Sequence, residues 1–347
     1  MKNKIFFILF LISFVVPVSF YAQDNNYHYK IANKFPLEGD DFWDYITMDD
    51  ETGYLYVSHG TKVQVLEAAT GKLIVTIPDT KGVHGIALAR ELGVGYTSNG
   101  RDTSVTIFRL TTNETIGVIK LISGLNPDAI IFDPASGNIF TFNGGSSNTS
   151  VIDVRKSAFV VSFPLDGKPE FAATNGLGKI FVNIEDKSTM DVIDTKNLTV
   201  LSQWPLKPGE EPSGLAIDKD NDRLFSVCHN KLMVVLDAND GRIITTLPIG
   251  ERVDGAAFDY GLKRAYSSNG DGTLTVVQEE NAESFKVLEN FPTQRGARTI
   301  AVSQKTHHIY LPTAEFEPAP EPTPENPHPR PKLKPGSFVV LDIEPVE

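Results

Sequence analysis

A short word recurs seven times along this 347-residue chain, at a period just over forty residues, and it restricts the possible folds more than any other feature. The word is an aromatic residue, typically two small or β-branched residues, then Asn or His. It is spelled Tyr56-Val57-Ser58-His59, Tyr96-Thr97-Ser98-Asn99, Phe140-Thr141-Phe142-Asn143 and Tyr266-Ser267-Ser268-Asn269, with weaker copies starting at Phe181, Phe225 and Tyr310. A repeat of this length cannot bury an apolar face alone, so successive copies must pack on one another.

Each copy sits in a unit of one plan. In the first, Asp44-Tyr45-Ile46-Thr47-Met48 is followed by a polar turn and Tyr54-Leu55-Tyr56-Val57. After a second turn comes Lys62-Val63-Gln64-Val65-Leu66, and after Thr70-Gly71 comes Leu73-Ile74-Val75-Thr76-Ile77. Four short apolar or alternating runs between Gly, Asn and Asp turns read as four strands, with no sustained helical period. The first strands begin at equivalent positions Asp44, His84, Asp128, Glu170, Ser213, Asp254 and Arg298, 40 to 44 residues apart. This spacing predicts an all-β, seven-bladed β-propeller of four-stranded blades.

The seventh unit lacks a fourth strand before the chain stops. Phe35-Pro36-Leu37-Glu38-Gly39 nearly copies Phe163-Pro164-Leu165-Asp166-Gly167, which ends the third unit. A strand over roughly 28–37 is therefore expected to complete blade seven and close the ring. The proline-dense stretch Glu315 to Lys334 interrupts that blade between its second and third strands, as a solvated loop or as a flap over the central opening.

The first residues read as a targeting segment. Lys2 and Lys4 precede an apolar run from Ile5 to Phe20, and Tyr21-Ala22-Gln23 leads into polar residues. This predicts a cleaved secretory signal over 1–23, one propeller domain over 24–347 and a periplasmic, secreted or cell-surface location, with no membrane span in the mature chain. Cys228 is the only cysteine, so no internal disulfide can form, and its strand context predicts a buried structural thiol. The net charge of −12 carries no basic stripe, which argues against nucleic acid as a partner.

The Tyr-Val-Ser-His and Tyr-Thr-Ser-Asn words, the Thr70-Gly71-Lys72 turn and the phrase Pro212-Ser213-Gly214-Leu215-Ala216-Ile217-Asp218 resemble the YVTN-type repeat of YncE-like exported β-propellers. The resemblance covers essentially the whole mature chain and implies seven blades and an exported location. It implies no reaction, because the repeat words are structural. Ile184, Cys228 and Thr313 replace the last letter in units four, five and seven, which argues against a symmetric ring of Asn.

First strands line the central channel of a propeller, so the ring Asp44, His84, Asp128, Glu170, Ser213, Asp254 and Arg298 is expected at its mouth. The second-strand ends, His59, Asn99, Asn143, Asn183, His229 and Asn269, are expected to open on the same face. Four carboxylates around one mouth repel unless cations sit among them or protons bind. Arg298 falls between Asp254 and Asp44 by blade order and is expected to balance them. His84, Asp128 and Glu170 then have no cation of their own. They are the candidate ligands for a divalent metal ion or a cationic ligand group, with Asn99 and Asn143 as neutral oxygen donors. Phe42 and Trp43 either stack on a ligand or pack between blades. His307 and His308, adjacent in a strand, point to opposite faces and cannot share a metal.

No Gly-x-Ser-x-Gly elbow, His-Glu-x-x-His motif, Cys-x-x-Cys pair or phosphate-binding glycine loop occurs in the sequence. The leading expectation is therefore a non-enzymatic exported propeller that binds a small molecule or an exported protein at the channel mouth. The alternative is a metal-dependent, lactonase-like hydrolase with carboxylate, His and Asn ligands there. A third expectation is an accessory subunit of a redox enzyme in the same compartment.

Overall fold

The computed structural model describes residues 28–321, 323, 329 and 331–346. The proposed signal segment lies outside them. Seven antiparallel four-stranded sheets form a ring of blades, a seven-bladed β-propeller. Blade one runs through Trp43–Asp49, Tyr54–His59, Lys62–Glu67 and Leu73–Ile77, the four runs read from its sequence. The next five blades repeat this order, and their innermost strands are Val83–Ala89, Pro127–Asp133, Pro169–Thr174, Pro212–Asp218 and Val253–Asp259. In blade seven the inner strand shrinks to Ala301–Val302.

Blade seven closes as its missing strand suggested. Its sheet order places Tyr29–Pro36 outermost, antiparallel to Val339–Pro345, so the N-terminal strand pairs with the last strand of the chain. Tyr29, Phe35 and Leu37 are buried there. The Tyr29 hydroxyl lies 2.9 Å from that of Tyr266 in blade six and accepts a hydrogen bond from Arg264 at 2.7 Å.

Apolar residues of successive blades interlock to form the core. Tyr96, Val105 and Ile107 of blade two, for example, pack with Ile130, Ile139 and Ile152 of blade three. The repeated word supplies more than strand register. Its third residue reaches a bulge in the blade's own inner strand or the carbonyl of the next blade's ring residue. Ser98 accepts from Gly85 N–H at 2.9 Å and donates to the Asp128 carbonyl. Ser268 donates to the Arg298 carbonyl at 2.6 Å, and Asn183 donates to the Ser213 carbonyl at 2.9 Å. Bulges at the ring positions of the first six blades leave inner-strand groups without ladder partners, and Ser58, Ser98, Asn183 and Ser268 satisfy several of them. Phe142 and Val227 hold the same place in blades three and five and cannot.

Neighbouring inner strands approach closely beside this ring. A Cβ on Gly214 would lie 2.6 Å from Ala256 N and 2.8 Å from the Asp254 carbonyl oxygen. Backbone cannot yield as a side chain does. Gly214→Ala is expected to destabilise the fold by about 3 kcal/mol, read as a lower midpoint in urea with an unchanged slope.

Cys228 is buried and unpaired, and desolvation pushes its thiol up to about 12, which matches a structural rather than a reactive role. Among the described residues no helix is long and apolar enough to cross a membrane. The proline-rich insertion does lie between the second and third strands of blade seven. Its base is ordered: Phe316 bridges Leu333, Glu317 N–H donates to the Lys332 carbonyl and Lys334 N–H to that of Glu315. His307 and His308 diverge, His307 to Asp259 at 2.8 Å and His308 to Asp342 at 2.6 Å.

Candidate functional site

Six ring residues are the second residue of their inner strand, and Arg298 stands three residues before the shortened seventh one. The bulges and the interblade hydrogen bonds described above hold these positions. An almost continuous polar chain results. Ser213 Oγ donates to Asp254 at 2.9 Å, Arg298 pairs with Asp254 and lies 3.6 Å from Asp44 Oδ1. The other oxygen of Asp44 meets His84 Nδ1 at 2.6 Å, and Asp128 Oδ1 lies 3.6 Å from the same nitrogen.

Arg298 stands between Asp254 and Asp44 as blade order indicated. The remaining half of the ring requires a correction, because it is not short of cations. Lys168 Nζ lies 2.7 Å from Glu170 Oε1 and also contacts Glu185. His84 is itself a cation: burial alone would lower its pKa, but the hydrogen bond to Asp44 and the charges of Asp128 and Asp44 raise it to about 9. The metal-ligand set shifts accordingly. Asp44, His84 and Asp128 each offer a ligand atom within 4.8 Å of the others, whereas Glu170 is tied to Lys168.

The two inner carboxyls remain uneasy. Burial and then the Asp44 charge raise Asp128 to about 6, and burial and then the Asp128 charge raise Glu170 to about 7. Asp128 Oδ1 is buried without a hydrogen-bond partner. The pair therefore carries a fractional proton load near neutral pH and responds to any positive charge brought to it.

The second-strand ends are placed differently from expectation. His59, Asn99, Asn143, Asn183 and Asn269 are all buried. His59 bonds Gln64 at 2.8 Å and the Asp41 carbonyl at 2.9 Å. Asn99 donates to Ser104 and Thr106, Asn143 to Asn148 and Ser150, and Asn269 to Thr273 and Thr275. Their amides are consumed inside the blades and offer no donor oxygens to the mouth. His229 is the exception and lines a mouth cavity.

Several mouth groups left no signal in the repeat words. Tyr45 of blade one meets Phe171 of blade four edge to face, with centroids 5.1 Å apart. Blades one and four lie across the ring from each other, so this contact closes the channel. Beneath it remains a cavity of about 50 Å³ lined by residues such as Ile86, Ala129, Ile131 and Ile300. The mouth is a cup with an apolar floor. Burial, followed by the charges of Asp128, Asp44 and Glu170, raises the Tyr45 hydroxyl well above its ordinary value, so it stays protonated.

A second tier stands two residues before each ring position: Phe42, Gly82, Asn126, Lys168, Glu211, Arg252 and Gly296. The backbone is left-handed at Gly82, Asn126, Glu211, Arg252 and Gly296 of this tier, so its positions follow from the aligned ring but the directions of its side chains do not. Phe42 is 61% exposed, whereas Trp43 is buried against Phe338 and Phe316. Of that aromatic pair, only Phe42 is free to meet a ligand.

No family model matches the chain, and no curated protein matches it. Among solved structures it is similar to a chain titled Kuenenia stuttgartiensis hydrazine synthase, at 16% identity over 79% of this chain and 94% of that one, with a TM-score of 0.69. A likeness at that identity concerns the propeller fold and not the chemistry.

Proposed function

We propose that this chain is an exported, non-enzymatic binding protein of the YVTN-repeat type, which holds a ligand or partner on the mouth face of its channel. The observation that supports this reading is the cup itself: Asp128, raised toward neutral pH by burial and the Asp44 charge, and Glu170, raised by burial and the Asp128 charge, stand over the Tyr45–Phe171 floor. Such a pair favours a ligand carrying a cationic group, which would draw both carboxyls into the ionised form and release protons. A screen of organic ammonium compounds and divalent cations by thermal shift at pH 7 tests it. Hits are expected to raise the unfolding temperature, and to bind at least tenfold more weakly to the Asp128→Asn/Glu170→Gln double variant. Hits that bind this variant as well as the wild type would move the cation site elsewhere. Export predicts a mature N-terminus at or near residue 24, which N-terminal sequencing of the processed protein checks.

One observation favours the second reading, a metal-dependent hydrolase. Asp44, His84 and Asp128 present an O, N, O donor set, and one of those oxygens lacks a hydrogen-bond partner. These residues fit a divalent ion once the His84 proton leaves. Elemental analysis of the purified mature protein decides it: stoichiometric metal, lost in Asp128→Asn, would support that reading and justify a lactone and ester panel. A metal-free protein that gains no thermal stability from any divalent ion would end it.

A further inference from the structure

The mouth has two electrical halves, and the one across blades six and seven is built differently from the carboxyl half. Two cavities, of about 440 and 180 Å³, share Arg252 and Arg298 in their walls. The larger is completed by His229, Lys231, Glu251 and Asp254. Both acids are already engaged, Glu251 with Lys231 at 2.5 Å and Asp254 with Arg298. The smaller is walled by Arg252, Arg295, Arg298, Phe316 and Pro331, with two glycines and no carboxylate.

Arg252 and Arg295 make no ion pair with any described residue. Arg295 lies over the Phe316 ring at 5.8 Å, an arrangement that orients a guanidinium without neutralising it. Arg252 holds a left-handed backbone conformation, φ 58°, and its carbonyl accepts the Gly270 N–H at 3.0 Å, which pins the loop that carries it. Phe316 reaches the mouth because the seventh position of the outer tier is Gly296. A Cβ there would lie 2.7 Å from the Phe316 ring, and φ is +89°. The base of the proline-rich insertion thus supplies an aromatic wall where the other blades present a tier side chain or, at Gly82, none.

We propose that the Arg252–Arg295–Arg298 sector binds the oxyanion of a small organic ligand, a carboxylate or a phosphate ester, with Phe316 against the ligand's apolar body. The proposal rests on the mouth-face reading above and deepens it: with Asp128 and Glu170 on the other half, the cup suits a ligand bearing both signs of charge. The planar guanidinium fork pairs bidentately with the oxygens of both anion types. In a chain of net charge −12, a cavity lined by Arg252 and Arg295 without ion-pair partners, beside an Arg298 already paired with Asp254, is a local reversal of the field.

The test is titration of the mature protein with sodium benzoate, acetate, phenyl phosphate and inorganic phosphate at constant ionic strength, followed by calorimetry or thermal shift. Saturable binding is expected for benzoate, phenyl phosphate or both, tighter than for acetate or inorganic phosphate. The stronger of the first two tells carboxylate from phosphate. Arg252→Asn/Arg295→Gln should weaken binding at least tenfold, and Asn tolerates the left-handed conformation at 252. Phe316→Ala should erase the advantage of the aromatic anions. Glu279→Gln, at the end of its strand away from the mouth, should leave these affinities within about twofold. If no anion binds saturably, or the double variant binds as the wild type does, the oxyanion site is wrong. If cationic probes still require Asp128 and Glu170, the mouth-face reading survives that failure, and if they do not, both fall.

Discussion

A chain lacking residues 28–37 is expected to lose cooperative folding altogether. The deletion removes one of the twenty-eight strands among the described residues, but that strand closes the ring. It pairs with Val339–Pro345 at seven register positions and buries Tyr29, Phe35 and Leu37. Three such side chains contribute about 1.5–3 kcal/mol each. The hydroxyl network of Tyr29, Tyr266 and Arg264 adds to this and ties blade seven to blade six. The total rivals the whole net stability of an ordinary domain, about 5–15 kcal/mol. The loss also uncovers the edge of Val339–Pro345, a template for pairing with a second chain. The truncated protein should show a broad, non-cooperative thermal transition by circular dichroism and rapid proteolysis, and a synthetic peptide of residues 28–37 should restore the sharp transition. A truncated chain melting within a few degrees of the wild type would mean that closure lies elsewhere.

The same strand shows why the fold could be read from sequence. Phe35-Pro36-Leu37 repeats Phe163-Pro164-Leu165 because both pack at the outer edge of a blade, and identical packing leaves identical letters. The ring was legible for a related reason, since aligning inner strands aligns whatever they carry into the channel. Its electrostatics were not. Lys168 pairs with Glu170 from two residues away, just before the strand that carries it, and His84 holds its proton through Asp44 of the preceding blade. Those pairings depend on radial distance, which a linear count of charges cannot supply. The Asn letters misled because a residue repeated in several blades more often serves what the blades share. Asn99, Asn143 and Asn269 bond hydroxyl or amide groups four to seven residues ahead, and so belong to the blade and not to the mouth. Tyr45 and Phe171 meet only because blades one and four face each other across the channel, which no local pattern announces.

The stability of the protein should fall as pH rises from about 5 to 9, and part of the fall below pH 8 should disappear in Glu279→Gln. Four groups are raised into this range, Asp128 to about 6, Glu170 and Glu279 to about 7, and His84 to about 9, and Asp191 and Glu289 are raised as well. A raised value means that the folded chain holds its proton more tightly than the unfolded one. The stability from each is complete below its unfolded value (3.8, 4.5 and 6.5 for Asp, Glu and His) and is lost as pH climbs through the folded one. Carboxylates held low by their partners, such as Asp102 and Asp237, act with the opposite sign but in more acidic solution, and His59, lowered by burial, opposes the fall below its unfolded value of 6.5. Glu279 is the cleanest of the four because it lies outside the mouth. Burial raises it first. Its bond from Asn221 at 2.8 Å opposes that rise, and the nearby Asp218 carboxylate adds to it. Glu279 Oε2 and Asp218 Oδ2 are both buried without a hydrogen-bond partner. Gln at 279 keeps the acceptor for Asn221 and gives Asp218 a donor that does not titrate. At pH 8 the variant should be about 2 kcal/mol more stable than the wild type, with the gap closing toward pH 5, as measured by urea unfolding across the pH series. Parallel pH profiles for the two proteins would show that Glu279 carries no shifted proton.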